Sequence, residues 1–331
     1  MGIRWFSRAA ALVAALTLAV SCSSPSGGGG GTAAEYPSEE IRIIVPYTAG
    51  GPTDLAARAM GGFLEQRLGQ PVLVENKPGA AGSVAMTEFV GEEPDGYTLT
   101  LVAAPSTVVT PLIQDVGYGP DDFDTVGVIT EIPSVLAVGA GSPFPDARAF
   151  LDAARARPGE LTVGTPGATT SQAIELRRLA GEYGVEVTVV PFDGNAELIQ
   201  AVLGGTVDGV FVNASQDIRE QIGAGDFRPL AISPAQRVRY LPDTPTLAEL
   251  GFPELTYSTS IFGLGAPAGT PPEIIGRLEE AMRAGLADPA VWAQLDEAYV
   301  PDEFVGAAEF RARLDRIVEV YGPVARQLGA D

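Results

Sequence analysis

Residues 41–54 read Ile-Arg-Ile-Ile-Val-Pro-Tyr-Thr-Ala-Gly-Gly-Pro-Thr-Asp, and this stretch limits the fold more tightly than any other. Ile41, Ile43, Ile44 and Val45 are β-branched, which suits a short buried strand. Pro46 ends it, because proline has no N–H to give to a ladder. Gly50 and Gly51 allow a sharp turn and a close backbone approach. Pro52, Thr53 and Asp54 are helix-start residues, and Ala56, Met60, Phe63 and Leu64 follow at i, i+4, i+7 and i+8. Thr53 and Asp54 are candidate caps as well as candidate ligand contacts. A strand, a glycine turn and a helix N-terminus bring unpaired N–H groups to one spot, where the helix dipole is positive. Such a spot suits an anion, although an ordinary βα connection carries the same sequence signature.

The pattern recurs along the chain. Residues 71–75 and 97–103 read as further strands, with a helix over 82–92 between them. The second of these strands runs into Ala104, Pro105, Ser106 and Thr107, another end carrying small polar groups. From about Ser134 the order restarts, with strands over 135–138, 161–163, 186–191, 207–213 and 229–232. Helices are expected over 145–156, over 172–183 and up to Leu203. Residues 164–171, Gly-Thr-Pro-Gly-Ala-Thr-Thr-Ser, repeat the arrangement of strand end, glycine-rich turn and helix start. Alternating strands and helices predict parallel pairing in βαβ units. Two such halves predict a cleft between two α/β lobes, with the ligand outside the C-terminal strand ends. A strand over 261–266 then leads to a helical tail. Its apolar stripes, Ile274, Leu278, Ala281 and Met282, then Phe310, Leu314, Ile317 and Val318, are expected to cover the first lobe.

Composition narrows the chemistry. The 331 residues are 46% hydrophobic and 19% charged, a globular balance with room for two domains. Formal net charge is −21, which argues against a nucleic-acid partner, since phosphate neutralisation needs clustered Lys and Arg. Histidine is absent and Cys22 is the only cysteine. That removes the usual zinc ligand sets, Ser-His-Asp and Cys-His catalysis, and any intramolecular disulfide. Walker A and Gly-x-Ser-x-Gly patterns are absent too, and Gly263, Gly265 and Gly269 miss the dinucleotide spacing by one residue. The acids Asp121, Asp122 and Asp124 are dense enough for a metal loop but lack its spacing, so a solvated turn is expected. No cofactor or metal is called for, and an enzyme is the weaker expectation. At strand ends the chain offers Tyr47, Thr48, Thr53, Ser106, Thr107, Thr165, Thr169, Thr170, Ser171 and Asn213, which are neutral hydrogen-bonding groups often beside glycine. Several will serve as turn and cap residues instead.

The N-terminus carries Arg4 and Arg8 and then an apolar run over 9–20, shorter than the ~20 residues a membrane span needs. It reads as a secretory signal peptide over 1–21. Ala19, Val20 and Ser21 before Cys22 resemble a bacterial lipoprotein processing site, with Ala19 where leucine is usual; plain secretion with a spectator cysteine is the alternative. Residues 22–35, with glycines 27–31, then form a flexible tether.

Longer motifs carry a family resemblance over nearly the whole mature chain. They are Ile44-Val45-Pro46-Tyr47 with Gly50-Gly51-Pro52-Thr53-Asp54, Leu68-Gly69-Gln70-Pro71-Val72, and Val74-Glu75-Asn76-Lys77-Pro78-Gly79-Ala80. Pro94-Asp95-Gly96-Tyr97-Thr98-Leu99, Leu203-Gly204-Gly205-Thr206-Val207-Asp208, Leu241-Pro242-Asp243-Thr244-Pro245-Thr246 and Gly265-Ala266-Pro267-Ala268-Gly269-Thr270-Pro271 complete the set. The chain resembles the extracytoplasmic solute-binding proteins of tripartite tricarboxylate transporters, often called Bug receptors. The resemblance implies a two-lobed α/β fold of the periplasmic-binding-protein kind (type II, Venus flytrap). Lobe one would comprise 36–133 plus 258–331, and lobe two 134–257. It also implies a monomer that closes on a small organic acid and presents it to the transporter's membrane subunits, touching the membrane through the lipid anchor alone. A sensor signalling to a membrane kinase is the alternative role. By the same resemblance the two turns clamp a carboxylate. The expected contacts are Tyr47, Thr48, Gly50, Gly51, Thr53 and Asp54, then Thr165, Gly167, Thr169, Thr170 and Ser171, with Ser106, Thr107, Asp193 and Asn213 beside them. Ala49 stands where family members commonly have proline, and Thr170-Ser171 with Ala173-Ile174 replace a usual Gly-Ser and downstream His. The second departure leaves the ligand's identity open.

Overall fold

The computed structural model describes residues 36–329. The expected signal peptide, Cys22 and tether therefore lie outside the described residues.

The first strand, β1 (Ile41–Val45), is buried on both faces. Ile41, Ile43 and Val45 enter one apolar cluster and Ile44 enters another, as the two-residue side-chain period of a strand requires. Helix α1 (Pro52–Leu68) follows, then β2 (Val72–Asn76), a single 3₁₀ turn at Ala80–Gly82, α2 (Ser83–Phe89), β3 (Thr98–Ala104) and α3 (Ser106–Ile113). A long strand, β4 (Phe123–Ile132), crosses through Pro133 into β5 (Ser134–Gly139). The second lobe continues through α4 (Ala147–Ala156), β6 (Thr162–Thr165), α5 (Ser171–Tyr183), β7 (Thr188–Pro191), α6 (Asn195–Leu203), β8 (Gly209–Asn213), α7 (Gln216–Ala224) and β9 (Phe227–Ile232). The chain then returns in β10 (Ser260–Pro267) and ends in α8 (Pro272–Leu286), the short α9 (Pro289–Trp292), a 3₁₀ turn at Glu297–Tyr299 and α10 (Ala307–Leu328).

Among the described residues, the strands form two five-stranded sheets, ordered β2-β1-β3-β10-β4 and β7-β6-β8-β5-β9. The expected parallel pairing holds for β1 with β2 and β3, and for β6 with β7 and β8. It fails at β10 and β5, which run antiparallel to both neighbours. These are the strands that carry the chain into each sheet from the other lobe, so they enter from the opposite end. The sequence pattern also hid β4 and α7. Gly127 interrupts β4 because a Cβ there would sit 2.9 Å from the Phe304 ring and 3.3 Å from the Val305 carbonyl. Helix α7 buries only Ile218 and so shows almost no apolar period.

The tail covers the first sheet on both faces. Ile274, Leu278, Ala281 and Met282 of α8 join Met60 and Leu64 of α1, while Phe310, Leu314, Ile317 and Tyr321 of α10 join Val102 and Val108. The acidic cluster is a pair of turn braces. Asp122 accepts the Gly119 N–H at 2.6 Å and Asp124 that of Gly269 at 2.9 Å.

Candidate functional site

Strand direction decides where the predicted turns lie. β1, β2 and β3 all end at Val45, Asn76 and Ala104, the end at which Ser260 pairs with Ile132 and Ile261 with Ala104. In the second sheet, Thr165, Pro191 and Asn213 end β6, β7 and β8, where Ser134 pairs with Asn213. Ile132 and Ser134 are separated by Pro133 alone. The C-terminal strand ends of the two sheets therefore meet at one junction, and the turns 46–54, 105–107, 164–171 and 192–194 all border it.

In the first turn the backbone does the work. Helix α1 begins on Gly51 with Pro52 in its first turn and has no side-chain cap, so the N–H groups of Thr53 and Asp54 find no acceptor among the described residues. The expectation that Thr53 or Asp54 caps the helix is corrected here. Asp54 turns back instead. Its carboxylate is almost fully buried and takes the Gly50 N–H at 2.9 Å, Asn76 Nδ2 at 3.0 Å and Arg58 Nε at 3.0 Å. Burial opposes its charge, but the bonds from Arg58, Gly50 and Asn76 outweigh it and hold the carboxyl below its ordinary range. Asp54 and the Gly50 N–H thus shape the turn from within. Gly50 has φ +87°, a left-handed conformation that favours glycine. Asn76 also donates to the Tyr47 carbonyl at 3.1 Å. Burial, with Tyr118 close by, pushes the Tyr47 phenol up to about 12, so it is a neutral donor at physiological pH. Thr48 is exposed and its side chain makes no hydrogen bond to a described residue.

In the second lobe the same division holds. Thr165 is fully buried and donates to the Gly167 carbonyl at 2.9 Å, and Thr170 donates to that carbonyl at 3.2 Å while accepting the Ala173 N–H at 3.4 Å. Both are consumed in holding the turn, with Thr170 as the N-cap of α5. Gly167 has φ +134°. Among the described residues, the N–H groups of Ser171 and Gln172 find no acceptor, and the exposed Thr169 side chain has no hydrogen-bond partner. Ser171 Oγ reaches Gln172 Oε1 and the Ser258 carbonyl at 3.3 and 3.4 Å. Of the flanking residues, Thr107 is buried and pairs with the backbone of Ala103, whereas Ser106 and Asp193 are exposed at the junction.

Asn213 belongs to a network that the sequence did not reveal. Gln172 is buried and donates to Asn213 Oδ1 at 2.8 Å and to Ser134 Oγ at 2.9 Å. Ser134 donates to the Ser258 carbonyl at 2.8 Å, and Asn213 Nδ2 to Ser260 Oγ at 2.9 Å. These bonds knit both chain crossings, 133–134 and 258–260, to the starts of β5 and α5. Small polar residues at the crossings were the available signal.

Two side contacts tie the lobes beyond the chain crossings. On one, Glu175 and Arg178 of α5 form a buried ion pair at 2.8 Å. Glu175 also accepts the Tyr257 N–H at 2.9 Å, and the Arg178 guanidinium lies 5.9 Å from the Tyr321 ring of α10. On the other, Arg219 of α7 pairs with Asp296, bonds Tyr299 Oη at 3.2 Å and stacks near the Tyr240 and Tyr299 rings at 5.2 and 4.9 Å.

The sequence profile of the tripartite tricarboxylate transporter family receptor matches residues 56–312. The chain belongs to this receptor family. The receptor is 36% identical over 256 residues to the UPF0065 protein in the gbd 5' region of Cupriavidus necator, covering 77% of each chain. It superimposes on a TctC solute binding protein from Polaromonas with a TM-score of 0.79 at 28% identity, over 88% of this chain and 100% of that one. Two structures from Rhodopseudomonas palustris share the fold and hold ligands. MatC contains bound malate (TM-score 0.68, 26% identity, 88% and 100% coverage) and Rpa4515 is with adipate (0.68, 30%, 87% and 98%). The two-lobed α/β architecture of the receptor is thus that of periplasmic solute-binding proteins. Among its described residues no helix is long and apolar enough to cross a membrane.

Proposed function

We propose that the receptor is an extracytoplasmic lipoprotein that captures a small di- or tricarboxylate or related organic acid. It delivers that solute to the membrane subunits of a tripartite transporter, without chemical turnover. The observation that carries this reading is the pair of helix N-termini, at Thr53-Asp54 and Ser171-Gln172, whose N–H groups have no acceptor among the described residues, each at a turn that borders the junction of the lobes. Each helix end contributes roughly 0.3–1 kcal/mol toward a nearby anion, and more where it is partly buried. Oriented N–H groups attract a carboxylate without a free lysine, which suits so acidic a chain. Thr48, Ser106, Thr169 and Ser171 supply hydroxyls around the acid, and Gly51 lets it reach the backbone. Lobe one (36–133 and 258–331) and lobe two (134–257) close on it about the Gln172 network. Residues 1–21 are the signal peptide, Cys22 the lipidated residue, and 22–35 the tether. The malate and adipate of the R. palustris neighbours support the ligand class.

Thermal shift and calorimetry against di- and tricarboxylates test this directly. A ligand at 100 times its Kd adds about 2.7 kcal/mol to the folded state, which raises Tm by several degrees for a protein of this size. A broad carboxylate panel that produces no stabilisation overturns the reading.

A further inference from the structure

Arg177 stands on α5 close behind the second turn. Its Nη1 donates to the Ala168 carbonyl at 2.8 Å, which places the guanidinium beside the tip of that turn. The next residue, Arg178, is matched by Glu175 and Glu182. Arg177 has no such match. It is half-buried, forms no ion pair among the described residues, and its charge is opposed by burial with no described acid to offset it. Ile174, three residues earlier, is buried in the cluster that holds Ile44, Val102 and Phe310 of the first lobe, so this stretch of α5 packs at the lobe junction. Arg177 stands there on the flank of a turn that borders it. One of its five N–H donors is used by Ala168 and the rest of the planar fork has no partner among the described residues.

We propose that Arg177 is the anchor for a second anionic group on the ligand, so that the receptor selects dicarboxylates over monocarboxylates. The first carboxylate is held by the N–H groups of the two turns, and the second pairs with the Arg177 fork. This rests on the carboxylate-receptor reading above and adds a residue and a charge requirement to it. A fork binds a carboxylate through two parallel bonds, and charge-assisted bonds of this kind discriminate strongly.

Calorimetry with succinate, glutarate and adipate, each against its monoamide, tests the assignment. The parent is expected to bind its preferred diacid about 10- to 100-fold more tightly than the monoamide, the range that hydrogen bonds to a charged group support. In Arg177→Gln that preference collapses while monoamide affinity stays as in the parent, and Arg177→Lys retains part of it. An Arg177→Gln that weakens diacid and monoamide equally, or keeps the parent's preference, overturns the proposal and leaves Arg177 as a brace for Ala168. A parent that binds diacid and monoamide alike overturns it as well, with the carboxylate reading intact. A parent that binds no member of the panel or of any wider carboxylate set sinks both.

Discussion

At the scale of single residues, Gly50 and Gly51 do different jobs although the sequence presents them as a pair. Gly50 is fixed by its left-handed φ, and its N–H is taken by Asp54. Gly51 has an extended backbone, and a Cβ there would meet only the Thr48 carbonyl at 3.8 Å. Neither strain nor crowding among the described residues asks for glycine at 51, and the proposed function assigns it to ligand approach. Gly51→Val is therefore expected to fold, losing about 1 kcal/mol from a poorer helix cap, while carboxylate affinity drops at least tenfold. Denaturant melts and calorimetry on the same preparation check this, and unchanged affinity removes the first turn from the site. Asp54 is the residue whose role the sequence left most open. A carboxylate at a helix start reads equally as cap, ligand contact or brace, and its bonds to Gly50, Arg58 and the sequence-distant Asn76 make it a brace.

At the scale of elements, α5 carries more than its turn. It supplies the N–H groups at Ser171 and Gln172, the glutamine that bonds Ser134 and Asn213 at the chain crossing, the Glu175–Arg178 pair and Arg177. Burial pushes the Glu175 carboxyl up to about 7, against the pull of Arg178 and the Tyr257 N–H. The folded state thus holds a proton on Glu175 across a range where the unfolded chain has lost it. This contribution to stability is complete below about pH 4.5 and is lost as pH rises toward about 7. Stability measured by denaturant at fixed ionic strength is expected to fall by a few kcal/mol across that window, and the fall should flatten in Glu175→Gln. A parent profile that rises through the window, or one identical in Glu175→Gln, contradicts the assignment. The predicted helices and parallel strands of both halves were legible because propensity and periodicity are local. The antiparallel strands β5 and β10 were not, since their direction follows from the route between lobes and leaves no mark on their own residues.

At the scale of the whole molecule, a net charge of −21 opposes the ligand class proposed for the site. The far field of the protein repels a dianion, and binding relies on dipoles and one arginine acting within a few ångströms. Salt screens charges beyond about 10 Å at 0.1 M and leaves close contacts largely untouched. The association rate for a dicarboxylate is therefore expected to rise with ionic strength in stopped-flow measurements. A rate that falls with added salt would show instead that a positive local field steers the ligand in.

The sequence by itself determined two α/β halves, each with a glycine-rich turn feeding a helix N-terminus. It also determined a chemistry without histidine or paired cysteine, because these are properties of composition and short-range pattern. The tertiary structure decided which polar groups are spent and which are available. Asp54, Thr107, Thr165 and Asn213 read as site residues alongside Thr48, Thr169 and Ser171, yet their bonds run inward. Arg177 carried no signal at all in the sequence. Whether a hydroxyl or guanidinium faces ligand or protein depends on partners brought close by the fold, and local sequence does not encode that distance.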